Sequence, residues 1–194
     1  MNDYVWYACY GSNLLEERFL CYIKGGKIPG NTRSETGARD KTPPVKSEAY
    51  ILPYRLFFSY PASKWDGSGV AFLDHASFGE ARTYARRYLI TAEQFTDVIR
   101  QENSLREYTE ISWDKDALIK EHSQVILPDD LYGRLLYVGD DEGFPVYSFT
   151  SIPEGKDMKP QRLFGAYREV IAAGLKETWN LTDEEIDRYL SPFE

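Results

Sequence analysis

The 194-residue sequence predicts an α+β fold, with a largely antiparallel, barrel-like sheet flanked by helices. Three observations lead there. Six or seven short β-prone runs recur along the chain, helical patterns fall at its start, middle and end, and the two do not alternate as regular βαβ units. A chain that is 42% hydrophobic and 15% aromatic has material for one sizeable core. With no internal repeat and no linker, residues 1–194 are expected to form a single domain.

The aromatic and β-branched run Tyr4–Cys9 reads as the first strand. It stops at Tyr10-Gly11-Ser12-Asn13, and an apolar-periodic helix begins at once. Asn13 with Glu16 three residues on has the spacing of a capping box, Leu15, Phe19 and either Tyr22 or Ile23 form the stripe, and Gly25-Gly26 ends it. Residues 27–44, "KIPGNTRSETGARDKTPP", hold almost no apolar content and predict a loop acting as a lid or rim. Strands follow at 48–60, 69–74 and 82–90, with Pro53 and Pro61 restricting which are central. Thr91 with Gln94 makes a second capping box, opening a helix that runs to Glu102. The polar stretch 103–127 predicts only a short helix near 115–122. "LYGRLLYV" and "FPVYSFTS" flank a Gly-Asp-Asp-Glu-Gly turn and predict a hairpin over 131–151. Helices at 161–175 and 183–190 close the chain, the latter opened by a third capping box at Thr182 and Glu185.

Composition excludes several function classes. Against 31 acidic residues stand 23 basic ones, a formal charge of −8, and the basic residues are scattered singly or in pairs. Phosphate-backbone binding draws on clustered cations, so a nucleic-acid partner is not expected. The first residues lack a basic region followed by an apolar one, and no run approaches the ~20 apolar residues of a membrane span. No membrane association is expected, and the location is expected to be cytoplasmic. Cys9 and Cys21 could make at most one bridge and are read as reduced thiols. With His75 and His122 the only histidines, and no C-x-x-C or H-x-x-x-H spacing, a zinc site has little to be built from.

Three places could carry chemistry. The turn from Tyr10 to Asn13 joins a strand end to a helix N-terminus, where unpaired N–H groups and the positive end of the helix dipole point one way. That geometry binds carboxylate or phosphate; the same residues also read as an ordinary tight turn at Gly11 capped by Ser12 or Asn13. Glu102 continues the apolar face set by Phe95, Val98 and Ile99, so a carboxylate is aimed inward. It is either a helix-end residue reaching water or a carboxylate placed in a cleft. Tyr167, on the face of the last long helix that carries Val170, Ile171 and Gly174, reads first as a core tyrosine whose hydroxyl finds a partner, and second as a functional residue. A Cys9–His mechanism has no evident histidine to complete it.

Taken together, "YGSNL" at 10–14 after a first strand, "TAEQFTDVIRQE" at 91–102 ending in glutamate, and "PQRLFGAYREVIAAGLKE" at 160–177 resemble the γ-glutamylcyclotransferase family. "RLFFSYPASKWDGSGVAFL" at 55–73 is similar to the family's strand, linker and glycine-led strand. The resemblance spans most of the chain except about 27–44 and 103–128. It implies a small mixed β-barrel flanked by helices, and release of 5-oxoproline from a γ-glutamyl amide or peptide, with the substrate's α-amine as nucleophile. Glu102 matches the family's catalytic glutamate. Tyr10, Gly11, Ser12, Asn13 and Leu14 match its substrate-holding turn, and Tyr167 its C-terminal-helix tyrosine. A small-molecule γ-glutamyl substrate and no cofactor or metal are implied. Two departures stand out: Asn103 follows the glutamate where many relatives have glycine, and Asn13-Leu14 differs from the glutathione-specific branch. A catalytically silent barrel that binds a small amino-acid-like ligand or a protein partner is the alternative.

Overall fold

The computed structural model describes residues 3–27, 34–106, 109–152 and 158–194. Ten strands and five α-helices follow in the order β1 (Tyr4–Cys9), α1 (Glu16–Lys24), β2 (Gly26–Lys27), β3 (Ser34–Glu35), β4 (Lys46–Leu52), β5 (Arg55–Pro61), β6 (Gly69–Asp74), β7 (Thr83–Thr91), α2 (Ala92–Glu102), α3 (Lys115–Glu121), β8 (Ser123–Val125), β9 (Arg134–Asp141), β10 (Phe144–Thr150), α4 (Gly165–Trp179) and α5 (Asp183–Leu190) among these residues. The class is α+β, as the sequence predicts.

The main sheet has the order β4-β7-β1-β10-β9-β8, with β1 at its centre. β1 runs antiparallel to β7, with Tyr7 opposite Tyr88, and parallel to β10, with Tyr7 opposite Tyr147. That parallel pair makes the sheet mixed, and the other pairings are antiparallel. The β9–β10 hairpin turns at Glu142-Gly143, both with positive φ, the conformation that tight hairpins demand. β5 and β6 form a separate antiparallel pair. The expected barrel therefore does not close, because β6 meets β10 through a side chain: Leu73 N–H donates to Thr150 Oγ1, and that hydroxyl donates back to Leu73 O, both at 2.8 Å.

One face of the sheet buries aromatic side chains under α1 and α2. Phe19 of α1 stacks on Tyr88 at 3.9 Å, and Phe95 of α2 lies 5.6 Å from Tyr7 and 5.8 Å from Tyr147. The period-2 alternation of β1 turns Trp6 to the opposite face, where the Arg87 guanidinium sits 4.2 Å over its ring. The helix ending at Gly25 and the capping boxes at Thr91–Gln94 and Thr182–Glu185 form as predicted. The one at Asn13–Glu16 does not. Ser12–Leu14 form a short 3-10 turn, α1 starts at Glu16 after Leu15, and no side chain caps it. Asn13 is instead turned into the protein, toward partners on β1 and α2.

The predicted 48–60 strand run is two strands broken at Pro53-Tyr54, and the first of the two closing helices starts later than expected, at Gly165. Part of the loop expected as a lid, 28–33, lies outside the described residues. The rest is strapped along α2: Gln94 donates to Asp40 O and Thr42 O, Asp97 accepts from Arg39 N–H, and Gln101 accepts from Gly37 N–H.

The C-terminal helix α4 fixes the strand-end turn from behind. A Cβ on Gly174 would lie 2.5 Å from both Leu14 Cβ and Leu15 N, so only glycine lets the helix approach this closely. Gly174→Ala should therefore lower stability by about 1–3 kcal/mol, the usual cost of overpacking. For a chain of this size that is a fall in Tm of about 2–4 °C per kcal/mol, read by thermal denaturation. An unchanged Tm would mean that α4 slides freely over the turn.

Candidate active site

Among the described residues, the edge of β6 that faces away from β5 has no partner strand, so its inward backbone groups need other partners. Buried hydroxyls supply them. Ala71 N–H donates to the Tyr167 hydroxyl at 3.2 Å, and the Tyr132 hydroxyl donates to Ala71 O at 3.3 Å. A small cavity of about 30 Å³ opens along this edge, between Ala71 on one side and the 10–13 turn and Glu102 on the other.

The turn is braced from outside the cavity. Tyr88 donates to Asn13 O, Arg86 and Thr178 donate to Leu14 O, and Arg86 also pairs with Glu16 and Glu177. With its backbone held, the Asn13 side chain is aimed: Nδ2 donates to Glu102 Oε1 at 3.0 Å and to the Tyr7 hydroxyl at 3.2 Å. Its Oδ1 is buried without a hydrogen-bond partner, an acceptor facing a cost unless a ligand meets it. Glu102, at the last turn of α2, keeps its side chain only 10% exposed, with Lys64 Nζ 3.6 Å from Oε2.

Of the residues singled out in the sequence, Tyr10, Gly11, Ser12, Asn13, Glu102 and Tyr167 all line this cavity, though they come from three distant segments. Leu14 does not. It is buried in the core, where its Cβ packs on Gly174. One of the turn's N–H groups is also spoken for: Leu14 N–H closes onto Gly11 O at 3.0 Å. Tyr10 donates to Phe149 O at 2.8 Å, which pins its ring in the wall.

Burial, reinforced by the nearby Glu102 charge, raises the Tyr167 and Tyr7 phenols above the ordinary tyrosine range, so both stay protonated. Tyr167 accepts from the Ala71 N–H and keeps its own proton to donate. Burial likewise pushes the Cys9 thiol up, and its Sγ donates to Arg86 O, which makes it inert as a nucleophile. Among the described residues no group of three or more His, Cys, Asp or Glu could hold a metal ion, and no helix is long and apolar enough to cross a membrane.

The sequence missed Lys64, Trp65, Tyr132 and Ala71. Lys64 and Trp65 sit on a short 3-10 turn, Ser63–Trp65, with no periodic pattern to mark it, and Trp65 packs on the Tyr167 ring at 4.9 Å. It also missed Arg18, which had a signal, since it falls beside Phe19 on a helix whose apolar face it shares; it is fully buried.

Three solved structures share this architecture. A γ-glutamyl cyclotransferase superposes with a TM-score of 0.53 at 16% identity, over 99% of this chain and 89% of its own. The Homo sapiens protein loc79017 gives 0.54 at 16% identity over the same shares, and YkqA from Bacillus subtilis gives 0.51 at 14% identity, over 98% of this chain and 55% of its own. The chain has the γ-glutamylcyclotransferase-like fold. No family model matches it. One curated protein, histone deacetylase 5 of Arabidopsis thaliana, is 33% identical over 198 residues, which cover 96% of this chain. The chain spans 30% of that protein's length.

In the cyclotransferase-like fold of this chain, Gly11 makes a close contact that a side chain would disturb: an added Cβ would lie 2.8 Å from the Tyr167 hydroxyl. Gly11→Ala should therefore lower Tm, and much of that loss should vanish in the Gly11→Ala, Tyr167→Phe double variant, where the clashing oxygen is gone. Additive losses in the double-mutant cycle would show that the contact does not set the requirement.

Proposed function

We propose that the protein releases 5-oxoproline from a γ-glutamyl amide or peptide, with Glu102 carrying the proton. The observation that supports this best is the Asn13–Glu102 hydrogen bond, which joins the strand-end turn to the last residue of α2 inside one cavity.

The chemistry asks little beyond positioning, because nucleophile and electrophile belong to one molecule. The substrate's α-ammonium gives a proton to Glu102, and the freed amine attacks the γ-carbonyl carbon, forming the ring C–N bond. The carbonyl oxygen takes up negative charge and is met by donors of the 11–13 turn. As that charge returns, the bond from carbon to the leaving nitrogen breaks and Glu102 passes its proton to that nitrogen; the ring nitrogen, still carrying two hydrogens and a positive charge, gives its second proton to Glu102, which hands it on to the departing amine, so that a neutral lactam and an ammonium leave. Asn13 Oδ1, buried and unpartnered, accepts from the substrate ammonium, and the Tyr167 proton serves a substrate oxygen. The small-molecule substrate, the absence of a nucleic-acid or membrane partner and a cytoplasmic setting belong to the same proposal.

The Lys64 contact favours a second reading. Glu102 already has a cation at 3.6 Å, so an ion-paired carboxylate in a silent, ligand-binding protein fits the same geometry. Glu102→Gln separates the two, since glutamine keeps the reach of glutamate and loses its basicity. On the enzyme reading the variant binds a 5-oxoproline analogue but loses about 100- to 10,000-fold in turnover of γ-glutamyl dipeptides or γ-glutamylamines. On the silent reading no γ-glutamyl compound is turned over, and the variant is destabilised by the lost pair. Free glutamate in place of 5-oxoproline would mean that water is the nucleophile. An acetyl-lysine peptide is the control that the curated relative's name suggests.

A further inference from the structure

The cavity at Glu102 holds only about 30 Å³ and cannot take a whole γ-glutamyl compound, so the part beyond the scissile bond needs room elsewhere. That room lies next door. A second cleft, of about 350 Å³, shares Lys64, Val70, Glu102 and Tyr132 with the cavity and runs outward between the 60–64 segment and the 103–104 and 131–132 segments. Glu102 therefore stands on the boundary of the two.

Both walls of the cleft are fixed. Asn103, the residue after Glu102, accepts at Oδ1 from the Tyr132 N–H at 2.8 Å, and its Nδ2 donates to Tyr132 O at 3.3 Å and to Ile99 O at 3.1 Å. Its amide is spent on main chain, so it clamps the 131–132 wall to the end of α2 and brings no charge to a ligand. On the opposite wall β5 bulges where its register with β6 shifts, and Tyr60 takes a left-handed φ of 54° with its ring half-exposed. A bulky residue adopts that conformation at a cost, and such outliers gather at functional sites. Pro61, Ala62 and Leu131 make the rest of the lining largely apolar.

We propose that this cleft is the leaving-amine subsite and that it selects an amine with an apolar body and no carboxylate. The inference rests on the reading of Glu102 as the proton carrier. To protonate the leaving nitrogen Glu102 must reach it, and an amino-acid leaving group carries its carboxylate on the carbon attached to that nitrogen, beside the Glu102 charge. Among the described residues that line the cleft, the one cation is Lys64, which already stands 3.6 Å from Glu102 Oε2. A second carboxylate there would be repelled by the first and would compete with it for one ammonium. An alkyl or aryl amine meets neither penalty and buries its chain against Tyr60, Pro61 and Leu131.

Calorimetric titration tests this without turnover. Glutaric acid mono-pentylamide and glutaryl-norleucine keep the γ-glutamyl acyl chain, lack the α-amine and so cannot cyclise, and differ from each other by one carboxylate. The wild type should bind the pentylamide at least roughly tenfold more tightly. Tyr60→Ala should weaken the pentylamide severalfold and leave glutaric acid mono-methylamide, too short to reach that ring, unchanged. Ser63→Arg, at an exposed position on the rim, supplies a cation and should tighten glutaryl-norleucine severalfold. Equal affinities of the two probes for the wild type, or a pentylamide preference that neither variant alters, would overturn the proposal. In turnover, kcat/KM should favour γ-glutamyl-pentylamine over γ-glutamyl-norleucine in the same sense. Absence of 5-oxoproline from every γ-glutamyl compound would defeat the reaction proposed above, while the non-cyclising probes still decide what the cleft selects.

Discussion

The free edge of β6 is the constraint on which this structure depends. A strand paired on one side only leaves inward N–H and C=O groups that cannot stay buried alone. Here Leu73 is satisfied by the Thr150 hydroxyl, while Ala71 is satisfied by Tyr167 and Tyr132. A neighbouring strand would have closed the sheet and filled the space. Side-chain hydroxyls close the accounts with less bulk, and the remaining gap is the cavity. The same tyrosines that complete the strand therefore also form the wall of the site, which is why Tyr167, read first as a core residue, also lines the cavity.

Across the gap the protein spends its buried charge on rigidity. Arg86, nearly fully buried on β7, is tied to Glu16 at the start of α1, Glu177 in α4 and the Leu14 carbonyl. With Tyr88 on Asn13 O, it pins the backbone of a turn that carries no helix cap of its own. Asn13 is then free to use its side chain inward. An amide held by its backbone loses little further entropy when it meets Glu102.

Much of the fold was legible because local chemistry and tertiary demand agree. Thr91 with Gln94 and Thr182 with Glu185 cap their helices as the spacing suggests, and Gly69–Asp74 forms the strand its short apolar run implies. At Asn13 the two disagree. The spacing to Glu16 predicts a cap, but a buried carboxylate nearly ninety residues away needs a donor more than an exposed helix start needs a cap. Glu102 could be read from the apolar period of α2, since a helix projects its side chains predictably. Lys64 could not, because a 3-10 turn between two strands has no period to follow, and the docking of that turn on Tyr167 through Trp65 is purely tertiary. The open sheet was equally hidden: one hydroxyl, that of Thr150, stands where a ladder was expected.

The charge pattern around Glu102 also says what kind of ligand the cavity would suit. Lys64 and Glu102 are close enough to balance, and the unpartnered Asn13 Oδ1 adds an acceptor on the Glu102 side. A bare anion would find the carboxylate in its way, and a bare cation would meet the Lys64 ammonium. A zwitterion avoids both penalties: its ammonium lies toward Glu102 and Asn13 Oδ1, its carboxylate toward Lys64 or the turn, and no net charge is buried. The amino-acid end of a γ-glutamyl compound is such a zwitterion. Both readings of the protein, turnover and silent binding, share this preference, so the ligand's charge pattern does not separate them. What separates them is whether the proton taken by Glu102 is passed on, and that depends on how firmly Asn13 and Lys64 hold one carboxylate in place.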